Sequence, residues 1–255
     1  EKIPIILSTA TPSLETFYNV KKNKYTRVFL SKQYSGINLP NINLIDLKNE
    51  KLEKNTWISN KILEGISNCL IKKRQSLIFL NRRGYAPLTV CNNCGYRHQC
   101  NNCSSWLVMH SDKKILSCHH CGFILAISKK CPICKTNDSQ RFIGPGVERV
   151  AEELQKEFPN AKLEIMSSDN MNTPLKIKKI IKQVELKKID ILIGTQILAK
   201  GYHFPNLSLV GILDADAGLM GGDLRASEHT YNLLQQVSGR AGRSTADGQV
   251  YIQTY

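Results

Sequence analysis

CNNCGYRHQCNNCSSWLVMHSDKKILSCHHCGFILAISKKCPIC, residues 91–134, holds eight of the chain's nine cysteines as four successive C-x-x-C pairs. Two residues between thiols let a single turn aim both sulfurs at one ion, and four such sulfurs complete a tetrahedral shell. Cys91, Cys94, Cys100, Cys103, Cys118, Cys121, Cys131 and Cys134 therefore supply ligands for two structural Zn²⁺ sites. A disulfide framework is the alternative, and it needs an oxidising compartment. No charged, apolar and cleavage-site signal opens the chain to take it there. Iron could use the same thiolates, but turns of Gly, Asn and Pro around each pair are the style of zinc ribbons.

The loops between pairs indicate which of them share an ion. Ser104 to Ser117 separates the second pair from the third, and "WLVMH" and "KILSC" flank a polar "SDKK" tip that reads as a hairpin. A hairpin brings its ends together. This assigns Cys100, Cys103, Cys118 and Cys121 to one ion and leaves Cys91, Cys94, Cys131 and Cys134 for the other, with crossed pairing as the alternative. A module this short cannot build a sufficient core, so the metal is at minimum a staple.

The 255 residues, 42% of them hydrophobic, suffice for one large or two modest domains. No apolar run approaches membrane-spanning length. Lys and Arg outnumber Asp and Glu by 14, and eight thiolates with two divalent ions would leave about +10. Such a surplus suits a polyanion, nucleic acid above all, although many lysines also simply solvate helix faces. Cys69, the ninth cysteine, sits in a helical pattern and reads as core.

Outside the cysteines the chain alternates helix and strand. Ile3 to Leu7 reads as a buried strand, followed by a helix from Ser13 to about Lys22. A chain that starts in mid-pattern is expected to be a piece of something larger. Residues 25–55 lack a sustained period and read as a connection, with "INLIDL" a short strand at best. Ile58, Ile62, Ile66, Cys69 and Leu70 then recur at helical spacing before the strand "SLIFL". Arg82 and Arg83 follow at that strand's carboxyl end, where open parallel sheets place binding residues. After the cysteines come strand "RFIG", a helix over about 147–158, strand "KLEIM", a helix over about 174–186 and strand "DILIG". Strand "SLVGILD", a long helix over "RASEHTYNLLQQVSGRAG" and strand "GQVYIQT" complete the series. Strands separated by helices build a parallel α/β sheet covered on both faces, and the cysteine module is an insertion into it.

In "QQVSGRAGR" Arg240 and Arg243 lie three residues apart at a glycine-broken helix end, a spacing that aims both guanidinium groups one way. Such forks match phosphate oxygens and can brace a transferring phosphoryl group. Standing alone, they serve equally as caps of a helix dipole. Upstream, "ILIGTQILAKGYHFPNLSLVGILDAD" carries a strand into Thr195 and Gln196, a glycine turn at Gly201, and a second strand into Asp214 and Asp216. His203, read by itself, is a polar loop residue.

These residues resemble the motifs of superfamily 2 helicases and, within them, the PriA family. "STATPS" is similar to that family's motif III, "LIFLNRRGYAP" to motif IV, "GTQILAKGYHFPN" to motif V and "QVSGRAGR" to motif VI. The cysteine pairs inserted just after "NRRGYAP" are the most specific mark. Thr9-Ala10-Thr11 stands where Ser-Ala-Thr is usual, and Tyr202 replaces a common His. The resemblance implies a RecA-like second helicase lobe over 56–90 and 135–255 with the two-zinc module at 91–134. It makes 1–24 the end of a first motor lobe and 25–55 the link. It further implies an ATP- and Mg²⁺-dependent 3′ to 5′ DNA translocase that restarts replication on branched or forked DNA. Single-stranded DNA, primosome proteins and single-stranded-DNA-binding protein are the implied partners of a monomer in the bacterial cytoplasm, at the nucleoid, away from any membrane. By position, Arg240 and Arg243 become ATP-sensing arginines, Gly201 and His203 meet the nucleotide, and Arg82, Arg83, Thr195 and Gln196 face DNA. No G-x-x-x-x-G-K-[ST] occurs and no Asp-Glu box precedes "STATPS", so this segment alone is expected not to turn over ATP. The alternative function is a non-catalytic zinc-ribbon module, binding DNA or protein, on a degenerate motor lobe.

Overall fold

The computed structural model describes residues 3–30, 39–53, 56–80, 88–103, 105–110, 115–118, 121–126, 128–143, 147–167, 173–195, 202, 204–219, 224–242 and 248–255. The chain divides into two compact units, Glu1–Gly36 and Ile37–Tyr255.

The first unit contains helix α1, Leu14–Lys21, started by Ser13, whose side chain accepts the Thr16 amide at 3.2 Å. Glu15 in its first turn and Lys21 in its last complement the dipole, but the helix buries no residue. The strand expected at Ile3 to Leu7 is absent. Ile6 is 92% exposed, and this stretch pairs with no strand among the described residues. An apolar run becomes a parallel strand only when neighbours supply its hydrogen bonds and cover its faces.

The second unit is built on a six-stranded sheet. Its strands are β1 (Asn41–Asp46), β2 (Gln75–Leu80), β8 (Leu163–Met166), β9 (Ile191–Gly194), β10 (Leu207–Leu213) and β11 (Gln249–Thr254). The order is β1-β11-β10-β2-β9-β8, and every pairing is parallel. The connecting segment, with "INLIDL" expected as a short strand at best, contributes a full edge strand, β1, whose Asn41 lies opposite Gln249. β2, β9 and β10 are buried along their whole length, as strands with covered faces must be.

Helices α2 (Asn60–Ile71) and α3 (Val147–Glu157) cover one face, packing Ile62, Ile66, Val150 and Leu154 against Ile78, Leu209 and Ile193. α2 lies so close that a Cβ on Gly65 would come within 2.5 Å of Leu209 Cδ1. Helices α4 (Pro174–Glu185) and α5 (Ala226–Ser238) cover the other face, setting Ile180, Val184 and Val237 on Leu77, Phe79, Val210 and Ile212. α5 ends sooner than its sequence pattern suggests. Gly239 closes it, and 239–242 form turns.

The inserted module has its own five-stranded antiparallel sheet, ordered β6-β5-β4-β3-β7. It comprises β3 (Leu88–Cys91), β4 (Val108–His110), β5 (Ile115–Ser117), β6 (Ile124–Ala126) and β7 (Gln140–Ile143). β7 contains the "RFI" expected in the parallel sheet. It pairs instead with β3, Cys91 opposite Gln140, so the two ends of the insertion zip together and close its base. β4 and β5 form the expected hairpin, with His110 opposite Ile115.

Candidate functional site

Each cysteine pair sits in a knuckle built by the backbone. Gly95, Gly122 and Lys135, four residues after Cys91, Cys118 and Cys131, donate their amides to those cysteines' carbonyls at 2.8, 2.9 and 3.0 Å. All three have positive φ, of 73°, 77° and 59°, which turns the chain back on itself. Freed amides in the turns point at sulfur, with Asn93 N on Cys91 Sγ and Asn102 N on Cys100 Sγ, each at 3.4 Å. Such donors favour the thiolate.

The knuckles meet in two groups, Cys91, Cys94, Cys131 and Cys134 in one and Cys100, Cys103, Cys118 and Cys121 in the other, with all sulfurs of a group within 4.8 Å of one another. The grouping is the nested one that the hairpin argument favours. Cys91 to Cys134 measures 3.6 Å, Cys94 to Cys131 3.7 Å, Cys100 to Cys121 3.4 Å and Cys103 to Cys118 3.3 Å. None of these is a disulfide, whose sulfurs touch at about 2.05 Å. Zn–S bonds of about 2.3 Å in a tetrahedron place sulfurs about 3.8 Å apart, so the cages fit a zinc ion with only slight expansion.

Electrostatics point the same way. A 3.3 Å hydrogen bond with the Thr136 hydroxyl, together with the Thr136 amide, pulls Cys134 down to about 5. Burial pushes Cys94 of the same group up to about 12, against the Tyr96 amide, and its sulfur neighbours add to the rise. Four sulfurs this close cannot all carry charge unaided, whereas a divalent cation lets every thiol ionise. The donor sets thus fit two zinc ions.

Two of the candidate motif residues, Thr195 and Arg240, are described, and they lie at opposite rims of the sheet. Thr195, half-buried at the carboxyl end of β9, donates its amide to Met166 at 3.3 Å. Arg240 lies at the opposite rim, beside the amino ends of β10 and β11, where Gly242 donates to the Leu207 carbonyl at 2.9 Å. The Arg240 guanidinium is 4% exposed as a residue and donates from Nη1 to the Tyr202 carbonyl. It thereby ties the glycine-rich end of α5 to the segment around residue 202. Arg82, Arg83, Gln196, Gly201, His203 and Arg243 lie outside the described residues.

Sequence reasoning missed Arg97, between the first and second cysteine pairs. Its Nη2 reaches Asp214 Oδ1 at 2.7 Å and Asp216 Oδ2 at 3.4 Å. The acids ended a strand pattern and a lone arginine sat among ligands, but nothing local pairs residues 117 positions apart.

Two family models match the chain, the PriA DNA helicase Cys-rich region domain over residues 100–124 and the helicase conserved C-terminal domain over 134–245. The replication restart protein PriA of Rickettsia prowazekii is 51% identical over 255 residues, all of this chain and 39% of that protein. The chain belongs to the PriA family of helicases. The Bacillus subtilis protein of the same name is 38% identical over 253 residues, covering 99% of this chain and 31% of its own length. The chain thus spans about two fifths or less of the length of these relatives. Among solved structures, RecG bound to a three-way DNA junction aligns over 96% of this chain and 22% of that one, at 13% identity and TM-score 0.49.

Proposed function

We propose that this chain is the C-terminal motor portion of an ATP-dependent 3′ to 5′ DNA helicase that restarts replication at stalled forks and promotes primosome assembly. The observation that carries the reading is 51% identity to a replication restart protein along the entire chain. In this reading 1–24 end a first motor lobe and 25–55 lead into the second and lend it β1; 56–90 and 135–255 form the rest of that lobe except for β3 and β7, which close the base of the metal module of 91–134. The first lobe supplies the main phosphate and Mg²⁺ contacts, and this segment alone does not hydrolyse ATP. Arg240 and Arg243 act on the nucleotide together with Gly201 and His203. Arg82, Arg83, Thr195 and Gln196 face DNA. The proposed partners are forked and single-stranded DNA, primosome proteins and single-stranded-DNA-binding protein, met by a monomer at the bacterial nucleoid.

The position of Arg240 supports this division of labour, because its bond to Tyr202 makes one unit of the two segments that resemble motifs V and VI. The same bond favours the rival reading in one respect: a guanidinium committed to a carbonyl is already serving structure. ATP turnover of the complete protein on forked DNA separates the two. Arg243→Ala is expected to lower turnover by about 10³-fold or more, with little rescue by Arg243→Lys, because an ammonium lacks the planar fork. Near-normal turnover in Arg243→Ala would remove Arg243 from the catalytic residues, and no turnover by the complete unmutated protein would leave a binding module on a decayed lobe.

A further inference from the structure

The two metal groups are unequal in what they touch. The first knuckle and the residues just after it seat the module on the parallel sheet. Gly95 packs so tightly that a Cβ would lie 2.9 Å from Lys48 Cε and 3.3 Å from Tyr255 Cβ. Lys51 Nζ donates to Asn93 Oδ1 at 3.3 Å. Arg97, with a side chain only 6% exposed, pairs with Asp214 and Asp216 while its guanidinium carbon lies 5.8 Å from the Trp106 ring and 6.0 Å from the Tyr255 ring. The contacts gather at the carboxyl ends of β1, β11 and β10. The second group, Cys100, Cys103, Cys118 and Cys121, borders this seat at Trp106, whose ring lies 5.8 Å from the Arg97 guanidinium carbon.

The acids that Arg97 engages are themselves built in. Asp216 accepts the Thr254 hydroxyl at 2.8 Å and the Tyr255 amide at 2.9 Å, which fastens the end of β11. Asp214 adopts the left-handed conformation, φ 52°, to enter the 3-10 turn Ala215–Gly218. Two carboxylates this close depend on a cation between them. Arg97 can serve because its backbone is held, by an antiparallel bridge with Val90 and by the Cys91 amide, which donates to the neighbouring Tyr96 carbonyl at 2.8 Å.

We infer that Arg97 is a latch through which the first metal group alone, Cys91, Cys94, Cys131 and Cys134, governs the order of the Asp214–Leu219 turn and the end of β11. Loss of that ion frees the knuckle and withdraws the guanidinium from Asp214 and Asp216. Loss of the second ion disorders the hairpin and spares the turn. The inference concerns coupling within the chain and does not depend on the helicase reading.

Hydrogen–deuterium exchange on the zinc-loaded full chain tests it, read at Ala217, Leu219 and Tyr255, whose amides donate to Asp214 O, Asp216 O and Asp216 Oδ2. Arg97→Ala is expected to keep two equivalents of zinc and to speed exchange at these amides about tenfold or more. Cys134→Ser, whose side chain is remote from the seat, is expected to lose one equivalent and to speed the same amides equally. Cys121→Ser is expected to lose one equivalent and leave them slow. Native-like exchange in Arg97→Ala, or equal loosening in Cys121→Ser and Cys134→Ser, would overturn the latch. Should Cys134→Ser fail to fold, Arg97→Ala with Cys121→Ser still decides the matter.

Discussion

In the parallel sheet, Leu77, Phe79, Val210 and Ile212 on one face and Ile78, Leu209 and Ile193 on the other are all covered by helices. Among the described residues the inserted module gathers a buried cluster of Cys100, Leu107, Leu116 and Cys118, two of them from the candidate metal group, with Cys103, Phe123 and Leu125 partly buried against it. Apolar burial at about 25 cal/mol per Å² sustains the first region, but four small side chains cannot offset the entropy of ordering some forty residues. An ion in each cysteine group would supply what is missing, since binding is worth about 10–16 kcal/mol in the smallest zinc modules. Two regions of one chain thus have separate sources of stability, joined at the seat around Arg97.

Chelation should split them most sharply. The chain has two tryptophans, Trp106 in the module and Trp57 packed on the lobe core. With Trp57 replaced by Phe, a strong chelator is expected to shift Trp106 emission to the red as the module unfolds. With Trp106 replaced by Phe, Trp57 emission should hold. A red shift of Trp57 as well would mean that the lobe cannot stand without the metals.

The converse cut falls on the lobe core. Phe79→Ala, at a fully buried position in the sheet, is expected to cost about 3–5 kcal/mol in chemical denaturation while the chain still binds about two zinc equivalents. Metal loss that coincides with the lobe's own transition, and moves with it in Phe79→Ala, would show that the regions are one cooperative unit.

A smaller effect is expected at Gly248, where a Cβ would meet Ala241 C and Gly242 N and Cα, each at 2.9 Å. All are backbone atoms, so Gly248→Ala must shift the turn after Arg240 and should cost about 1–3 kcal/mol. Zinc binding should not change.

The smallest effect belongs to Glu153, which accepts the Trp57 and Ile58 amides at 2.9 and 3.2 Å. Burial raises its pKa above the ordinary carboxylate range, only partly opposed by those two amides. A carboxyl with a raised folded pKa is destabilising when ionised, so its contribution improves as pH falls from above that raised value toward the unfolded one. Glu153→Gln should flatten the stability curve in that window alone, as melting temperatures across weakly acidic pH would show.

Where neighbours in sequence decide the structure, the sequence was legible. Ile58, Ile62, Ile66 and Cys69 repeat at the helical period and bury one face of α2, and each C-x-x-C pair makes its knuckle from about five residues. The nested grouping followed from one hairpin. Legibility failed where burial is conferred by distant partners. Ile3 to Leu7 looked like core but is exposed, and "RFI" joined the antiparallel sheet because β3 offered an edge. Arg97 became a buried cation only through acids far along the chain. In the motor motifs, the rim on which Arg240 falls follows from α5 preceding β11, which is a matter of topology rather than residue type.

The pairing of β1 with β11 also sets a schedule. Asn43 and Gln249, linked side chain to side chain at 3.3 Å, are 206 residues apart. At translation speeds of about 5–20 residues per second, β1 waits about 10–40 s for its partner. Through that interval one edge of the nascent sheet has nothing to pair with, the condition under which slow, non-local topologies misassociate. The metal module has all its ligands once Cys134 is made, and Asp214, Asp216 and Tyr255 come later. The ribbon is therefore finished first, as a preformed block onto which the last strand of the lobe is delivered.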